Sequence, residues 1–495
     1  MTQAQRIVKN LLAGGISTAV GGFLQLLTVL VIARQISVAQ FGLYTFMVTL
    51  GFVLQRLSDM GVSPILMRDL AVKPEKTGEL LGETLSLAWL ISSAITLLMF
   101  GAIPFLHFDY AISVLTALMG VGGLWQLQCG CYGAVLRARE DNELYALGFL
   151  LHKVILLVLV VAALQARTTL SGIVVAHLLA NVFQWWFYRW IVIQRYARPR
   201  LRINLVFWRY LLTNAVPVGA AGVVRLLGEQ ADITILTWLT DLRRTGLYSG
   251  SYKLTAGLRF VPQAMVIALF PAYSRAAEGT GSRHAFHEIY ERGVRGFVLL
   301  AFPVALLFLV EPGLLTRGLL GIRYAAAAPA MRLLGIGVWL FFVASPFPFL
   351  LTALNEQRFL FVSSAIATAL RVLLDLALTP FFGFLGPCLA LIACETLLVG
   401  MWVGRLWSVG FPLPLAGILW RPCLASLVMG AMLYFSHAQS VLTLIPVAMV
   451  SGAVYLALVL KLGAVSAAEM EMAREGLDFV RPLFAEWSRQ ARTRS

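Results

Sequence analysis

Residues 42–66 read GLYTFMVTLGFVLQRLSDMGVSPIL, a run that is long and apolar enough to cross a membrane as one helix. Two charged residues, Arg56 and Asp59, interrupt the run, and their spacing places them on one face of a helix. A charge at bilayer depth costs at least about 2.5 kcal/mol on insertion scales, so such residues are candidates for function. The stretch therefore predicts a membrane helix with a functional polar face.

The whole chain shares this apolar character. Of its 495 residues, 59% are hydrophobic and 13% are charged, and the mean hydropathy is +0.82. A soluble domain carries about twice as much charge, so the composition excludes a soluble enzyme, a disordered chain and a secreted disulfide scaffold. The five cysteines all fall inside apolar stretches, and we interpret them as packing residues. What remains is a polytopic membrane protein.

Apolar stretches of about 20 residues recur along the chain, separated by short polar connectors such as LRAREDNE (136–143). They predict an all-α protein with about fourteen transmembrane helices. The approximate bounds of the predicted spans are 11–33, 42–66, 83–106, 111–134, 144–165, 170–190, 211–239, 247–270, 295–311, 331–354, 359–380, 384–404, 418–436 and 441–460. The first span is longer than a signal-peptide core, so we expect it to be retained.

The basic residues predict the orientation of these spans. The net charge of +15 comes from 39 basic and 24 acidic residues, and the richest basic stretch is RYARPRLRINLVFWR (195–209). Most basic residues lie on the cytoplasmic side if both termini are cytoplasmic, as the positive-inside rule requires. We interpret the Arg-rich stretch as a linker on an anionic lipid surface and not as a nucleic-acid arm. The polar tail, 461–495, is predicted to form a cytoplasmic interfacial helix.

An internal repeat joins the two halves of the chain. FGLY (41–44) opens the second span, and TGLY (245–248) opens the eighth, 204 positions later. At the same offset Gln55 falls on Arg259. Six spans in each unit predict two pseudo-symmetric six-helix lobes that face each other across a cleft. The predicted parts are an N-terminal lobe (1–194), a basic linker (195–210), a C-terminal lobe (211–405), two extra helices (406–460) and the tail (461–495).

Ionisable residues inside the predicted spans are concentrated in the first two spans of each unit, and arginine is the residue type nearest the midplane. Guanidinium groups suit phosphate oxygens, so the expected cargo has an anionic head such as pyrophosphate. The candidates for contact with this head are Arg56, Arg225, Arg259, Lys253 and Arg34. The candidates for binding a coupling ion or balancing charge are Asp59, Glu229, Asp232, Arg371 and Asp375.

A purely structural alternative stays open for two of these sets. Arg56 with Asp59, and Arg371 with Asp375, are spaced so that each could be a self-neutralising pair that holds helices together. Prolines predict kinks as well: Pro217 lies in the seventh span and Pro262 in the eighth. Kinked helices beside a cleft suit alternating access, and they are also common in membrane bundles without that role.

Motifs of enzymes are absent from the sequence. It contains no GxxxxGK[ST] loop, no long soluble insertion and no paired carboxylates in a large external segment. The two closely spaced cysteines, Cys129 and Cys131, have no histidine cluster beside them that would complete a metal site. The sequence therefore predicts a transporter or a scaffold without catalytic residues, metal or cofactor.

Short motifs in a fixed order carry a resemblance to a known family. They are VKN (8–10), AR (33–34), FGLY (41–44), SDMG (58–61), MRDLA (67–71), TGLY (245–248), LFPAYSR (269–275) and FFGFLGPCLA (381–390). Together they resemble the bacterial polysaccharide-unit flippases of O-antigen and exopolysaccharide synthesis, within the multidrug/oligosaccharidyl-lipid/polysaccharide exporter superfamily. The resemblance covers nearly the whole chain.

This resemblance implies a specific function. It implies fourteen helices, two six-helix lobes and a central cationic cavity in the bacterial inner membrane. It also implies that an undecaprenyl-pyrophosphate-linked oligosaccharide is moved from the inner to the outer leaflet by alternating access, driven by a proton or sodium gradient. The implied partners are this lipid-linked oligosaccharide, inner-membrane lipids, a polysaccharide polymerase and chain-length proteins, with no nucleic acid.

Three other functions compete with the flippase. A multidrug or cation antiporter of the related branch would favour an acidic cavity, whereas the midplane here is basic. A membrane polysaccharide polymerase would need a large external loop, and the longest one predicted, 312–330, is modest. A scaffold of a glycan assembly complex would transport nothing.

Overall fold

The computed structural model describes residues 3–106, 109–266 and 283–464, together with residues 269 and 273. Within these ranges the structure describes the backbone but not the side chains of residues 3–14, 16, 105, 106, 217, 218, 220–225, 227, 229 and 283–285. Residues 465–495 of the predicted tail helix, and most of the LFPAYSR motif, lie outside the described residues.

Every regular element in the described ranges is helical. The first helices are α1 (Gln3–Gln35), α2 (Val38–Asp59), α3 (Val62–Val72), α4 (Thr77–Ala102), α5 (Tyr110–Ala138), α6 (Asn142–Gln165) and α7 (Thr169–Arg195). The later helices are α8 (Leu205–Leu239), α9 (Leu242–Ala256), α10 (Arg283–Val310), α11 (Pro312–Leu315), α12 (Ala328–Ala344), α13 (Phe347–Ala353), α14 (Gln357–Phe382), α15 (Gly386–Ser408), α16 (Leu415–Phe435) and α17 (Val441–Lys461).

Eleven stretches of this part of the chain are helical, long and apolar enough to cross a membrane. One of them, Gln357–Ser408, contains both α14 and α15. The protein is therefore an all-helical, multi-pass membrane protein, and the fuller count of fourteen spans stays a prediction.

Some predicted spans differ from the helices of the structure. The stretch 42–66 was expected as one helix, but α2 ends at Asp59 because Met60 and Gly61 adopt φ values of 37° and 83°. This left-handed conformation ends a helix and redirects the chain, and α3 follows. The predicted span 331–354 is similarly divided into α12 and α13, with Pro346 at the break.

The structure differs at the two prolines that were predicted to kink a helix. The backbone of α8 is helical through Pro217, whose side chain lies outside the described atoms. In the eighth predicted span, α9 stops at Ala256 and a 3-10 turn, Gly257–Arg259, precedes the helical turn that contains Pro262. The interruption beside Pro262 agrees with a kink there.

We call helices α1–α7 the N-terminal helix group and α8–α15 the C-terminal helix group. Most of these helices pack within their own group, whereas α2, α8 and α9 also pack extensively across the boundary between the groups. The groups meet where α2 packs along α8 and crosses α9. Helices α16 and α17 pack on each other and on α10. The candidate site lies where α2 meets the C-terminal helix group.

The crossing of α2 and α9 is symmetric. A Cβ atom added to Gly42 would lie 2.0 Å from the carbonyl oxygen of Leu242, and one added to Gly246 would lie 2.0 Å from that of Val38. Gly42 and Gly246, like Val38 and Leu242, are separated by the repeat offset. Glycine is required at both positions, because any side chain would collide with the backbone of the other helix.

A hydrogen bond completes this crossing. The hydroxyl of Thr45 donates to the hydroxyl of Ser249 at 3.1 Å, and these two residues are again 204 positions apart. Residues at equivalent repeat positions therefore face each other, as they do around a two-fold axis.

The Arg-rich linker rests on the start of α4. Residues 196–204 are not helical, and the backbone N–H of Arg200 donates to the carbonyl of Gly78 at 2.9 Å. The indole N–H of Trp208 donates to the carbonyl of Glu83 at 2.9 Å. The side chain of Asn204 accepts from the backbone of α8 and donates to the Glu83 carboxylate.

The predicted linker of 195–210 is shorter in the structure, since α8 already begins at Leu205.

Candidate functional site

Helices α2 and α8 contact each other at two levels. The hydroxyl of Thr49 donates to the side-chain oxygen of Gln230 at 3.2 Å. Nearer the other end, a Cβ atom on Gly61 would lie 2.9 Å from the amide nitrogen of Gly219, so the helices run antiparallel. Arg56 lies between these levels, two helical turns from Thr49 on the same face of α2, and its side chain is exposed.

The antiparallel pairing also predicts what lies opposite Arg56. The α8 segment at this level contains Arg225, with Glu229 one turn further along. The side chains of both residues lie outside the described atoms, so their roles stay predictions. The guanidinium carbon of Arg56 lies 6.0 Å from the centre of the Phe52 ring, and Phe52 is itself 46% exposed. The exposed surface of α2 at this level is therefore both cationic and aromatic.

Asp59 has a different partner from the one that its spacing suggested. Its carboxylate accepts from the backbone N–H of Ser63 at 3.1 Å and from the Ser63 hydroxyl, so it ties the end of α2 to α3. Among the ion pairs of the described side chains, none joins Asp59 to Arg56. The hypothesis of a self-neutralising pair on the second span is therefore wrong.

Arg259 is held by aromatic rings. Its guanidinium carbon lies 4.7 Å from the centre of the Phe341 ring and 5.5 Å from that of Tyr252. Cation–π contacts of this kind contribute about 2 kcal/mol when they are desolvated. The same side chains line a cavity of about 10 Å³, which is room for about one water molecule. Arg259 is thus positioned at the end of the 3-10 turn that interrupts the helix.

Three helices of the C-terminal group meet at the carboxylate of Asp232, which is fully buried. The Arg371 guanidinium on α14 donates to Asp232 Oδ2 at 3.0 Å, and the Tyr248 hydroxyl on α9 donates to the same oxygen. The backbone N–H of Ile233 donates to Oδ1 at 2.7 Å. The charge of Asp232 is thereby compensated, as burial in an apolar bundle requires.

Asp375 is buried without such compensation. It lies one turn from Arg371 on α14, yet among the described side chains neither of its oxygens has a hydrogen-bond partner. The predicted pair of Arg371 with Asp375 is therefore replaced by the pair of Arg371 with Asp232. Asp375 is nevertheless close enough to both residues to interact with them electrostatically.

Two further charges extend this group. Lys253 interacts electrostatically with Asp232 and Arg259, and Glu395 on α15 interacts with Arg259 and Arg371. We call the set the charged cluster, and it contains Asp232, Lys253, Arg259, Arg371, Asp375 and Glu395. Its acids and bases are equal in number. The sequence predicted no role for Glu395, and Tyr248 gave no signal beyond its place in the TGLY motif.

Arg34 lies at the end of α1, near the start of α2, and is therefore far from Arg56. Its guanidinium donates to the carbonyls of Leu319 and Gly318, at 2.9 Å for Leu319. These carbonyls belong to the predicted external loop 312–330, which is folded into short helical turns. Arg34 thus ties the end of α1 to this segment near the start of α2, whereas Arg56 lies near the end of α2.

A polar network inside the N-terminal helix group was not predicted. Gln55, the repeat equivalent of Arg259, is its first member. The side chains of Gln55, Gln126, Asn181 and His152 are joined in series at 3.2, 2.6 and 3.1 Å. Nearby, Lys153 on α6 donates to Gln25 on α1 at 2.8 Å. The four residues of the series belong to four different helices, so only folding brings them together. No group of His, Cys, Asp and Glu among the described side chains could hold a metal ion.

The helices form a multi-pass membrane bundle with a cluster of charged side chains between them. The family model for polysaccharide biosynthesis proteins matches residues 7–277, more than half of the chain, and the protein belongs to this family. No curated protein matches the chain.

Solved transporters share the fold at low sequence identity. Lipid II flippase MurJ in an inward closed conformation is similar with a TM-score of 0.73 and 13% identity, over 89% of this chain and 97% of that one. An inward-facing multidrug resistance MATE family transporter of the MOP superfamily is similar with a TM-score of 0.62 and 15% identity, over 78% and 94%. A MOP superfamily transporter from Pyrococcus furiosus, described as having a binding pocket of reverse polarity, is similar with a TM-score of 0.57 and 17% identity, over 81% and 96%.

Proposed function

We propose that this protein is a flippase that moves an undecaprenyl-pyrophosphate-linked oligosaccharide from the inner to the outer leaflet of the bacterial cytoplasmic membrane by alternating access. Family membership supports a role in polysaccharide biosynthesis, and the fold is one that transporters use. A lipid-linked glycan needs a path that is polar for its head and open toward lipid for its tail. We infer that a groove between the two helix groups, along the exposed polar face of α2, meets the first requirement.

The exposed guanidinium of Arg56, on α2 beside its contacts with α8, is the observation that carries this proposal. A cation inside a membrane bundle is costly unless it binds an anion or lines a wet cavity. Arg225 belongs to the facing segment of α8, and Arg259 lies in the C-terminal helix group. We assign the diphosphate to these three residues, with Lys253 as a further cation near Arg259.

The charged cluster is the proposed site of energy coupling. Asp375 is buried beside a pair, Asp232 with Arg371, that already compensates its own charge. A second buried carboxylate is stabilised by binding a proton or a cation, or by taking Arg371 from Asp232. Binding of a proton or cation to Asp375 would therefore change whether Arg371 on α14 pairs with Asp232 on α8. In this way an ion gradient would be linked to helix movement.

The proposed architecture has fourteen spans, two six-helix lobes (1–194 and 211–405) and both termini in the cytoplasm. The symmetric contact of α2 with α9 supports the two-lobe arrangement. Polysaccharide polymerase and chain-length proteins are the proposed partners, because they act on the product of this export step.

The test is transport of a fluorescent undecaprenyl-pyrophosphate oligosaccharide in proteoliposomes. We expect Arg56→Ala and Arg259→Ala each to lower the rate about tenfold or more, since a hydrogen bond to a charged group contributes about 1.5–3 kcal/mol. Arg243→Ala, an exposed arginine at the start of α9, is the matched control and should transport normally. Full transport by the Arg56→Ala, Arg259→Ala double variant would overturn the assignment.

The same proteoliposomes distinguish the competing functions. A multidrug antiporter would move a cationic dye in exchange for protons and leave the lipid-linked glycan in place. A polymerase would lengthen the glycan, and a scaffold would leave both the glycan and the dye unchanged.

A further inference from the structure

A second cavity lies on the outer surface of the N-terminal helix group, where the linker meets α4, α5 and α7. Its volume is about 440 Å³, and two arginines line it together with aromatic side chains. The arginines are Arg189 on α7 and Arg198 in the linker. The elements around this cavity differ from α2 and α8, which form the proposed transport groove.

Among the described side chains, the cationic side of the cavity has no acidic partner in an ion pair. Arg189 donates to the hydroxyl of Tyr132 at 3.4 Å and lies 5.6 Å from the centre of the Trp185 ring. In the part of the chain that the structure describes, no ion pair involves Arg189 or Arg198. Both side chains are exposed. Two uncompensated guanidiniums that converge on one cavity favour an anion, and a phosphate accepts hydrogen bonds from both.

The other side of the cavity is apolar and has the composition typical of a membrane interface. Trp89 and Trp185 line it, and tryptophan is enriched where headgroups meet acyl chains. The linker next to it exposes large apolar side chains: Leu201 is 63% and Ile203 is 77% exposed. Apolar side chains that alternate with arginines are stabilised at a lipid surface, with the apolar groups in the acyl region and the guanidiniums among phosphates.

We propose that this cavity binds an anionic phospholipid of the surrounding leaflet, with its phosphate between Arg189 and Arg198 and an acyl chain along Trp89. The lipid bridges α7 and the linker, and the linker joins the two helix groups. Bound lipid therefore stabilises the linker against α4, where the Arg200 backbone is already hydrogen-bonded. The inference does not depend on what the groove transports.

Binding is measured on the purified full chain in detergent, by native mass spectrometry and by the shift in unfolding temperature on adding dioleoyl phosphatidylglycerol. Dioleoyl phosphatidylcholine and inorganic phosphate are the comparison probes. We expect phosphatidylglycerol to bind the native protein and to raise its unfolding temperature, and Arg189→Gln with Arg198→Gln to weaken this binding at least tenfold. Arg202→Gln, an exposed linker arginine that does not line the cavity, should bind as the native protein does.

Other outcomes overturn the proposal. Equal binding of phosphatidylcholine would show that no anion is recognised, and an equal response to inorganic phosphate would show that no acyl chain is. Unchanged binding by the double variant would place the lipid elsewhere. Because a double variant can fold poorly, Trp89→Ala gives a second test: it should weaken binding of phosphatidylglycerol while the unfolding temperature without lipid stays close to native. Unchanged lipid binding by that variant would also contradict the proposed pose.

Discussion

Arg371 is a buried base, and its removal should lower the free energy of unfolding. It compensates Asp232, which is fully buried and has only neutral donors besides. Removing one partner of a buried pair leaves an uncompensated charge and costs about 3–5 kcal/mol. We expect Arg371→Met to lower the free energy of unfolding by about this amount, measured by chemical or thermal unfolding in detergent. Arg358→Met, at an exposed position of the same helix, is the control, and equal stability of the two variants would contradict the role of the pair.

Replacement of Asp375, unlike that of Arg371, should affect transport and leave the stability nearly unchanged. Its oxygens have no hydrogen-bond partner among the described side chains, so Asp375→Asn removes no hydrogen bond that the structure shows and should change the free energy of unfolding by less than about 1 kcal/mol. If Asp375 binds the coupling ion, the neutral amide cannot take it up, and transport should no longer respond to an imposed pH or sodium gradient. Proteoliposomes with and without each gradient measure this response. A variant that still responds to both gradients would remove Asp375 from the coupling step.

The partners of these residues could not be predicted from spacing. Arg371 has Asp375 one turn away, yet it bonds to Asp232, 139 positions earlier in the chain. Packing of α14 against α8 decides which way each side chain turns, and sequence spacing along one helix contains no information about that rotation. The charged residues themselves could be identified from the sequence, because an ionised residue in an apolar run is rare. The uncharged members of the site, such as Tyr248 and Gln230, gave no comparable signal.

At the level of helices, the crossing of α2 and α9 should depend on its glycines. A side chain at Gly42 would collide with a backbone carbonyl, which cannot move aside as a flexible side chain can. Overpacking typically costs about 1–3 kcal/mol, and we expect Gly42→Leu to reach at least the upper part of that range in unfolding experiments. Gly404→Leu on α15, where an added Cβ meets nothing within 4 Å, should be tolerated. Similar stability of the two variants would show that α2 and α9 do not require close approach.

Helix existence was easier to predict than helix ends. Apolar runs of sufficient length marked the spans, because lipid demands a continuous helix. The end of α2 was missed because it depends on the left-handed conformation of Met60 and Gly61, inside an apolar run that continues to Leu66. The start of α8 was also missed, since Leu205 and Val206 look like linker residues until Asn204 is seen to cap the helix.

At the scale of the whole molecule, the two helix groups touch at a pseudo-two-fold contact, and this contact must open if the groups alternate. The FGLY and TGLY motifs predicted equivalent helices, but not that these helices meet each other. Thr45 and Ser249 are joined there by a hydrogen bond of 3.1 Å. Alternating access requires the groups to rock about the site, so residues that hold one side closed must separate in each transport cycle.

A disulfide across this contact should therefore stop transport. The short distance between the two hydroxyls brings their β-carbons within reach of a disulfide bond. We expect Thr45→Cys with Ser249→Cys, in a Cys423→Ser background because Cys423 is the exposed native cysteine, to cross-link on oxidation. Flux of lipid-linked glycan in proteoliposomes should then fall at least tenfold and return after reduction, while each single cysteine variant is insensitive to the oxidant. Full flux through the cross-linked protein would mean that α2 and α9 stay together throughout the cycle, and the opening would then have to lie between other helices.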